Sequence, residues 1–486
     1  MNLVAEQSWR GTWWVADEPD VQRDGILRCG DDGRLRLELV GGFNVTTRKP
    51  LPDGGSTVDP AGRRFPLIHG TAAGQQFTLI ETYATRSTGG LVRPDEQDLS
   101  SNRALQGIHL RSLDEAVFET GHIQFERLLA WAHRTTIDLD SVAEISGPSG
   151  EQTVIRRPLP AVVTVHEGIE IKLRVRSNDF NITHRPSANR RVVESVEWAV
   201  LDFTPEAGLS TYNAFDRLDK DMQDLLTLCS YDACGSLKQS LIYRGSEAHP
   251  ASTHHPIEVS VMGRQVYHPQ PVENEPGHHI FLFTLAELDF AELVPRWLAL
   301  KETARTACNT LFGLRYISTG YVGTRLLGVA SAAEGLHQAI RPESTPLPNA
   351  QYRALKKKLI SAIADEPDDV RQFVNAELRN KPTLYHRLLD LASIPDQQAV
   401  DALIKDRSAW ATALKDSRND LAHANERESG DESVPAVYLL EVTYALLCLV
   451  LMAELGISGE TQRKALDHPG VEWVARRFNA ATPAGP

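Results

Sequence analysis

The chain has 486 residues, too many for one ordinary hydrophobic core, and its 42% hydrophobic and 24% charged content is that of a folded protein of two or three domains. A net charge of −13 argues against a protein that coats nucleic acid without regard to sequence. The excess is uneven, however: from Ala291 onward 23 Lys+Arg face 24 Asp+Glu, which leaves 28 against 40 for the first 290 residues. A local RNA contact in the C-terminal part therefore stays open. Five scattered cysteines, among them Cys229 and Cys234 with no second pair, fit neither a zinc site nor a disulfide framework. They suit a reducing cytoplasm. The opening MNLVAEQSWRGTWW has no basic segment followed by an apolar run, so no signal peptide is expected.

Residues 1–205 read as a β-rich domain. GTWWV, ILRC and RLRLELVGGF are short apolar stretches separated by DEPDVQRDG and GDDG. Leu35, Leu37 and Leu39 alternate with Arg34, Arg36 and Glu38, the period of a half-buried strand, and Gly33 after two aspartates marks a hairpin turn. Further strands are expected in QFTLIETYA, GHIQFERLLAWA, AVVTVHEGIEIKLRVRS and VVESVEWAVLDF. Their spacing suggests a sandwich or a partly closed barrel. Residues 206–285 read as a mixed α/β continuation, with a helix in FDRLDKDMQDLLTLCS and strands in SLIYRG, HPIEVSVMG and HHIFLFTL. From residue 286 to 486 the period becomes that of helices, which predicts an all-α bundle. DALIKDRSAWATALKDSRNDLAHA reads there as one helical run. The apolar stretch 436–455 is long enough to span a bilayer, but it carries Glu441 and Glu454 and has acidic flanks, so a buried core helix is expected and no membrane contact. The fold class is thus α+β and multidomain.

Chemistry concentrates in LKDSRNDLAHANER, residues 414–427. Arg418 and His423 are five positions apart, about 140° around a straight helix, so they do not converge within one regular helix. Convergence needs a helix end or a second copy from a symmetric partner. As chemistry the pair suits metal-free RNA cleavage. A neutral imidazole can take the 2′-hydroxyl proton or protonate the leaving 5′-oxygen, and a guanidinium can grip the scissile phosphate. On spacing alone a polar helix end, with Arg418 bridging to Asp416 or Asp420 and His423 solvated, is the better account. Elsewhere, Arg353 and the run Lys356, Lys357 and Lys358 lie on a helix that could guide RNA phosphates or form a solvated face. His254, His255, His268, His278 and His279 fall in turn-rich segments without ligand spacing, so no metal and no cofactor are expected. Of Trp9, Trp13 and Trp14, at least one of the adjacent pair should pack in the sheet core.

SRNDLAHANER resembles the R-N-x-x-x-H signature of HEPN domains, all-α modules that are often ribonucleases. SAAEGLH, residues 331–337, is similar to the A-x-E-x-L-H helix of the ApeA-like HEPN group. RGTWWVADEPDVQRDGILRCGDDGRLRLELVGGF and FPLIHGTAAGQQFTLIETYA resemble successive stretches of the ApeA N-terminal domain, so the likeness runs along nearly the whole chain in one order. It implies an anti-phage effector acting by abortive infection through an RNA endonuclease, with the N-terminal part as sensor or brake and a phage-derived trigger. On the same ground the substrate is RNA, tRNA being one candidate, and the working form is a homodimer or higher homo-oligomer. Carried over by residue, Arg418 engages the phosphate, His423 is the general acid or base, Asn419 orients the site, and Glu334 supports it or serves the bundle. His337, three positions on, reads as structural. Two alternatives stay open: a catalytically silent HEPN module for binding or dimerisation, and a carbohydrate- or peptide-binding protein whose β-rich half carries the function.

Overall fold

The computed structural model describes residues 6–44, 48–50, 56–58, 64–89, 94–138, 155–179, 181–185, 190–244, 255–267, 280–317, 319–422 and 435–481. They form two compact units, one of residues 1–279 with 284–295 and the other of residues 280–283 with 296–486.

The first unit begins with strands β1 (Gln7–Val15), β2 (Arg23–Cys29) and β3 (Leu35–Val40). A short ribbon, β4 (Arg48–Pro50) with β5 (Ser56–Val58), precedes β6 (Arg64–Ala72), β7 (Gln75–Gly89) and β8 (Pro94–Gln106). All neighbours are antiparallel in the order β8-β3-β2-β1-β6-β7, and β7 pairs back onto β8, which closes a six-stranded barrel. The alternation in β3 sets its faces: Leu35, Leu37 and Leu39 enter the core, while Arg36 reaches across the outside to Asp98 at 2.7 Å. Trp13, Leu27, Phe65, Phe77 and Leu99 fill the interior. Gly70 lets Trp13 lie flat on the neighbouring backbone, since a Cβ there would stand 2.0 Å from the indole ring. Trp9 and Trp13 both reach Phe77 inside, whereas Trp14 faces the other way, against His69 and His109.

The sheet continues past the barrel. β9 (Phe118–Phe125) leads into the one-turn helix α1 (Leu128–Ala132), the ribbon of β10 (Ile137–Asp138) and β11 (Ile155–Arg156), and strands β12 (Val162–His166) and β13 (Ile169–Ser177). A second ribbon, β14 (Asn181–Arg185) with β15 (Arg190–Glu194), is followed by β16 (Glu197–Pro205), α2 (Tyr212–Ser230), β17 (Ser236–Tyr243) and β18 (Ile257–Gly263). The order β12-β13-β16-β9-β17-β18 joins the barrel through β8. Three expectations are corrected here. GHIQFERLLAWA is a strand and then a helix, because Arg127 turns left-handed at φ 59. AVVTVHEGIEIKLRVRS is a hairpin, folded back at Glu167 and Gly168, both at positive φ. HHIFLFTL supplies no strand over residues 280–285, where the chain turns and bends with Leu282 and Phe283 both buried. His278 and His279 lie outside the described residues.

Helix α2 starts at Thr211, whose hydroxyl accepts from the Ala214 amide, and its Phe215 packs over Gly121 of β9. Inside it, buried Asp219 accepts hydrogen bonds from Ser236 and Gln239, yet burial outweighs these and pushes its carboxyl up to about 6. The unfolded chain ionises this group near pH 4, before the folded chain does. Stability from Asp219 is therefore full below that pH and is lost as pH rises to about 6, by about 3 kcal/mol. Denaturant unfolding of wild type and Asp219→Asn across this window should show the slope in wild type and its disappearance in the variant.

The second unit is helical: α3 (Phe290–Tyr316, shared with the first unit at its start), α4 (Val322–Ile340), α5 (Asn349–Ala362), α6 (Asp368–Glu377), α7 (Leu384–Ala392), α8 (Gln397–Leu403), α9 (Arg407–Ala422), α10 (Ala436–Glu454), α11 (Gly459–Lys464) and α12 (Pro469–Ala481). Pro295 in α3 cannot donate to the Ala291 carbonyl, which instead accepts the Thr164 hydroxyl at 3.1 Å. α3 kinks at Ala304, where Lys301, fully buried, reaches over to Asn309 at 2.9 Å. The run expected as one helix from residue 401 is broken after Leu403, and Asp406 caps the new start by accepting from the Ala409 amide. α10 passes the length and composition test for a membrane span, but residues Leu439–Met452 are buried in the unit apart from Glu441, and α4, α7, α9 and α12 pack around it. α5 and α6 bury no residue at all.

Candidate active site

The local sequence of α9 explains where its polar end points. Trp410, Ala411 and Leu414 are fully buried, and the Trp410 indole donates to Thr443 of α10 at 3.0 Å. Arg418 stands four positions after Leu414 and eight after Trp410, so it extends the same buried stripe. The guanidinium thus emerges on the bundle side of the helix, half-buried. The last described turn of α9 also lies close to the start of α4, where a Cβ on Gly323 would meet Leu421 at 2.9 Å.

Three helices place their side chains at this end. Glu334 of α4 takes Arg418 of α9 at 4.0 Å and Arg387 of α7 at 3.9 Å. One helical step along, His337 of α4 contacts Asp390 of α7 at 2.8 Å. The i, i+3 spacing on both α4 and α7 makes two parallel rungs, Glu334–Arg387 and His337–Asp390. Arg418 also donates to Asn419 at 3.4 Å. One carboxylate thus serves two guanidiniums, and Arg418, the more exposed of the two, is the one that can offer its fork to a phosphate oxygen. The distances to Glu334 are long for ion pairs and leave Arg418 exchangeable for another anion.

The structure brings together Glu334, Arg418 and Asn419, and His423 lies outside the described residues. Arg353, Lys356, Lys357 and Lys358 sit on α5, exposed but for Lys356, whose ammonium donates to the Asn375 and Leu378 carbonyls and so caps α6. Arg387 and Asp390 escape the sequence reading. Their signal is a polar pair at i, i+3 inside the apolar helix LYHRLLDLAS. Among the described residues no cluster of three ligands could hold a metal, and His255 is exposed. His254 and His268 lie outside the described residues. All five cysteines are free and buried, and burial pushes the thiols of Cys29, Cys229, Cys234 and Cys448 up, the last to about 12, so these four are not thiolate nucleophiles near neutral pH.

Comparison with known families decides the assignment. Residues 8–297, more than half of the chain, match the family model for ApeA N-terminal domain 1, and residues 327–461 match that for the Apea-like HEPN domain. The chain belongs to the ApeA-like family. No curated protein and no solved structure gave a match. In this ApeA-like chain the HEPN match encloses Glu334, Arg387 and Arg418, so the whole three-helix cluster falls within it. HEPN domains are generally ribonucleases, and the ApeA-like architecture fits a family of anti-phage effectors.

Proposed function

We propose that the chain is an anti-phage effector that aborts infection by cutting RNA in its HEPN domain, with the barrel-bearing N-terminal domain as sensor or brake. The observation that carries this reading is the placement of Arg418 on the core stripe of α9, beside Glu334 and five residues before His423. In the proposed step His423 removes the 2′-hydroxyl proton. The 2′-oxygen then attacks the phosphorus, and the bond to the 5′-oxygen breaks as that oxygen takes up a proton. Arg418 stabilises the charge on the phosphate oxygens as it builds. The products are a 2′,3′-cyclic phosphate and a 5′-hydroxyl, and no redox or metal step is needed. Asn419 orients the guanidinium that it touches. In this reading Glu334 holds Arg418 until the phosphate replaces it. Arg353, Lys357 and Lys358 of α5 supply cations for the RNA backbone. A homodimer, in which the second copy completes the site, and a cytoplasmic location belong to the same reading.

The 4.0 Å pairing of Arg418 with Glu334 also favours a second reading, a HEPN module that binds without turnover. Sequencing RNA ends from infected cells separates the two. Wild type should give cyclic-phosphate ends that are absent with His423→Ala. Identical ends in both would sink the nuclease and leave the silent module.

A further inference from the structure

We infer that the N-terminal domain carries a binding site for a small phosphate-bearing molecule with a planar ring, in the crevice where strand β8 changes partner. The proposal does not depend on any chemistry at Arg418. On one edge, residues Glu96–Ser101 of β8 pair with β3, and Arg103–Gln106 pair with β18. Two strands leaving one edge in a twisted sheet must diverge, and they do so at Asn102. Beside this point lies a crevice of 620 Å³, walled by β7, β8, α2 and the neighbouring ends of β3 and β18 and within the size range of small-molecule sites.

The strand on the other side of β8 is marked at the same point. In β7 the ladder joins Ile80 to Arg103 and Thr82 to Ser101, and between them Glu81 adopts φ 52, a left-handed conformation that a non-glycine residue in a strand rarely holds. Its carboxylate accepts from the Asn102 side chain at 2.6 Å and lines the crevice. Strained residues of this kind concentrate at ligand clamps. Charge adds a third observation. The walls carry Arg34, Arg103, Lys220 and Arg264; Arg34 pairs with Asp32 and Lys220 with Asp216, which leaves Arg103 and Arg264 against Glu81, a local cationic excess in the half of the chain with 28 basic and 40 acidic residues. Arg103 donates to the Gly263 carbonyl at 3.4 Å and lies beside the buried Tyr212 in the crevice wall. Its guanidinium offers the fork geometry that phosphate takes. Tyr83, 45% exposed at the rim, offers a ring face for stacking.

The test is calorimetric titration of the full chain with ATP, with tripolyphosphate (the same charge type without a ring) and with inorganic phosphate. ATP should bind saturably, and more tightly than either ring-free probe. Arg264→Glu should weaken ATP and tripolyphosphate alike by tenfold or more, and Tyr83→Ala should weaken ATP while leaving tripolyphosphate unchanged. Both positions are exposed, so unchanged circular dichroism will show that the fold is intact. Absence of binding by all three probes at millimolar concentration would overturn the site, as would undiminished binding in Arg264→Glu. An equal effect of Tyr83→Ala on both polyphosphates, or none on either, would overturn the ring.

Discussion

Arg418→Ala is expected to slow RNA cleavage by on the order of a thousandfold, and His423→Ala by about a hundredfold to ten-thousandfold, the usual ranges for one transition-state charge contact and for one general acid or base. The Arg418 change should not cost much stability. Arg418 is about two-fifths exposed and meets Glu334 at 4.0 Å, and an ion pair of that kind contributes about 1 kcal/mol at most. Lost activity with an unchanged melting curve would therefore report chemistry rather than unfolding. Arg418→Lys sharpens the point: it keeps the charge but not the planar fork, and most of the rate should stay lost. The measurement is the initial rate of appearance of cyclic-phosphate ends on cellular RNA. Rates within twofold of wild type in both alanine variants would remove these residues from the reaction.

Glu441→Ala is expected to cost about 3 kcal/mol, the largest effect on stability anticipated in the helical unit. Glu441 is the acidic residue inside the otherwise apolar α10. It accepts Arg315 from the end of α3 at 2.9 Å and lies 3.6 Å from Arg325 at the start of α4, with all three side chains at most 20% exposed. Arg315 also lies 3.9 Å over the ring of Tyr444. Deleting the carboxylate leaves two guanidiniums facing each other in a space with little water, which is the costly way to break a buried pair. The melting temperature should fall by roughly 6–12 °C by circular dichroism. Glu441→Gln, which keeps the shape and one acceptor, should fall between. A melt unchanged in Glu441→Ala would mean that this tie among three helices carries no net energy.

Glu441 also shows what is legible in the sequence and what is not. Its charge is enough to argue that residues 436–455 do not cross a membrane, but its partners lie more than a hundred positions away and have no local signature. The alternation of Leu35, Leu37 and Leu39 with Arg36 and Glu38 reveals a strand and its two faces, because both are consequences of a period of two. The spacing of the strands suggests a sandwich or a partly closed barrel, but which strands close it is invisible, since that depends on β7 pairing back to β8 after all six strands are in place. The same limit applies to the site. Arg418, Asn419 and Glu334 are recognisable from motif and spacing, whereas Arg387 and Asp390 become visible when α4, α7 and α9 are packed. Local backbone choices explain the misread segments: a left-handed Arg127 splits one expected strand, and Glu167 with Gly168 folds another in two.

Helices α5 and α6 bury no residue, and a 14-residue and a 10-residue helix are too short to hold together by propensity alone. Their order rests on a few local ties, the Tyr352 hydroxyl on the Leu378 carbonyl and the Lys356 ammonium beside it. Amide hydrogens in this hairpin should therefore exchange with solvent long before those of α10, and its opening leaves the bundle's core contacts in place. Yet the hairpin hangs between α4 and α7, whose side chains Glu334 and Arg387 meet beside Arg418. The most easily melted part of the unit is thus tethered at both ends to the rungs of the proposed catalytic cluster. In a stretch so lightly held, sequence and length can drift at little thermodynamic cost while the cluster it connects stays fixed.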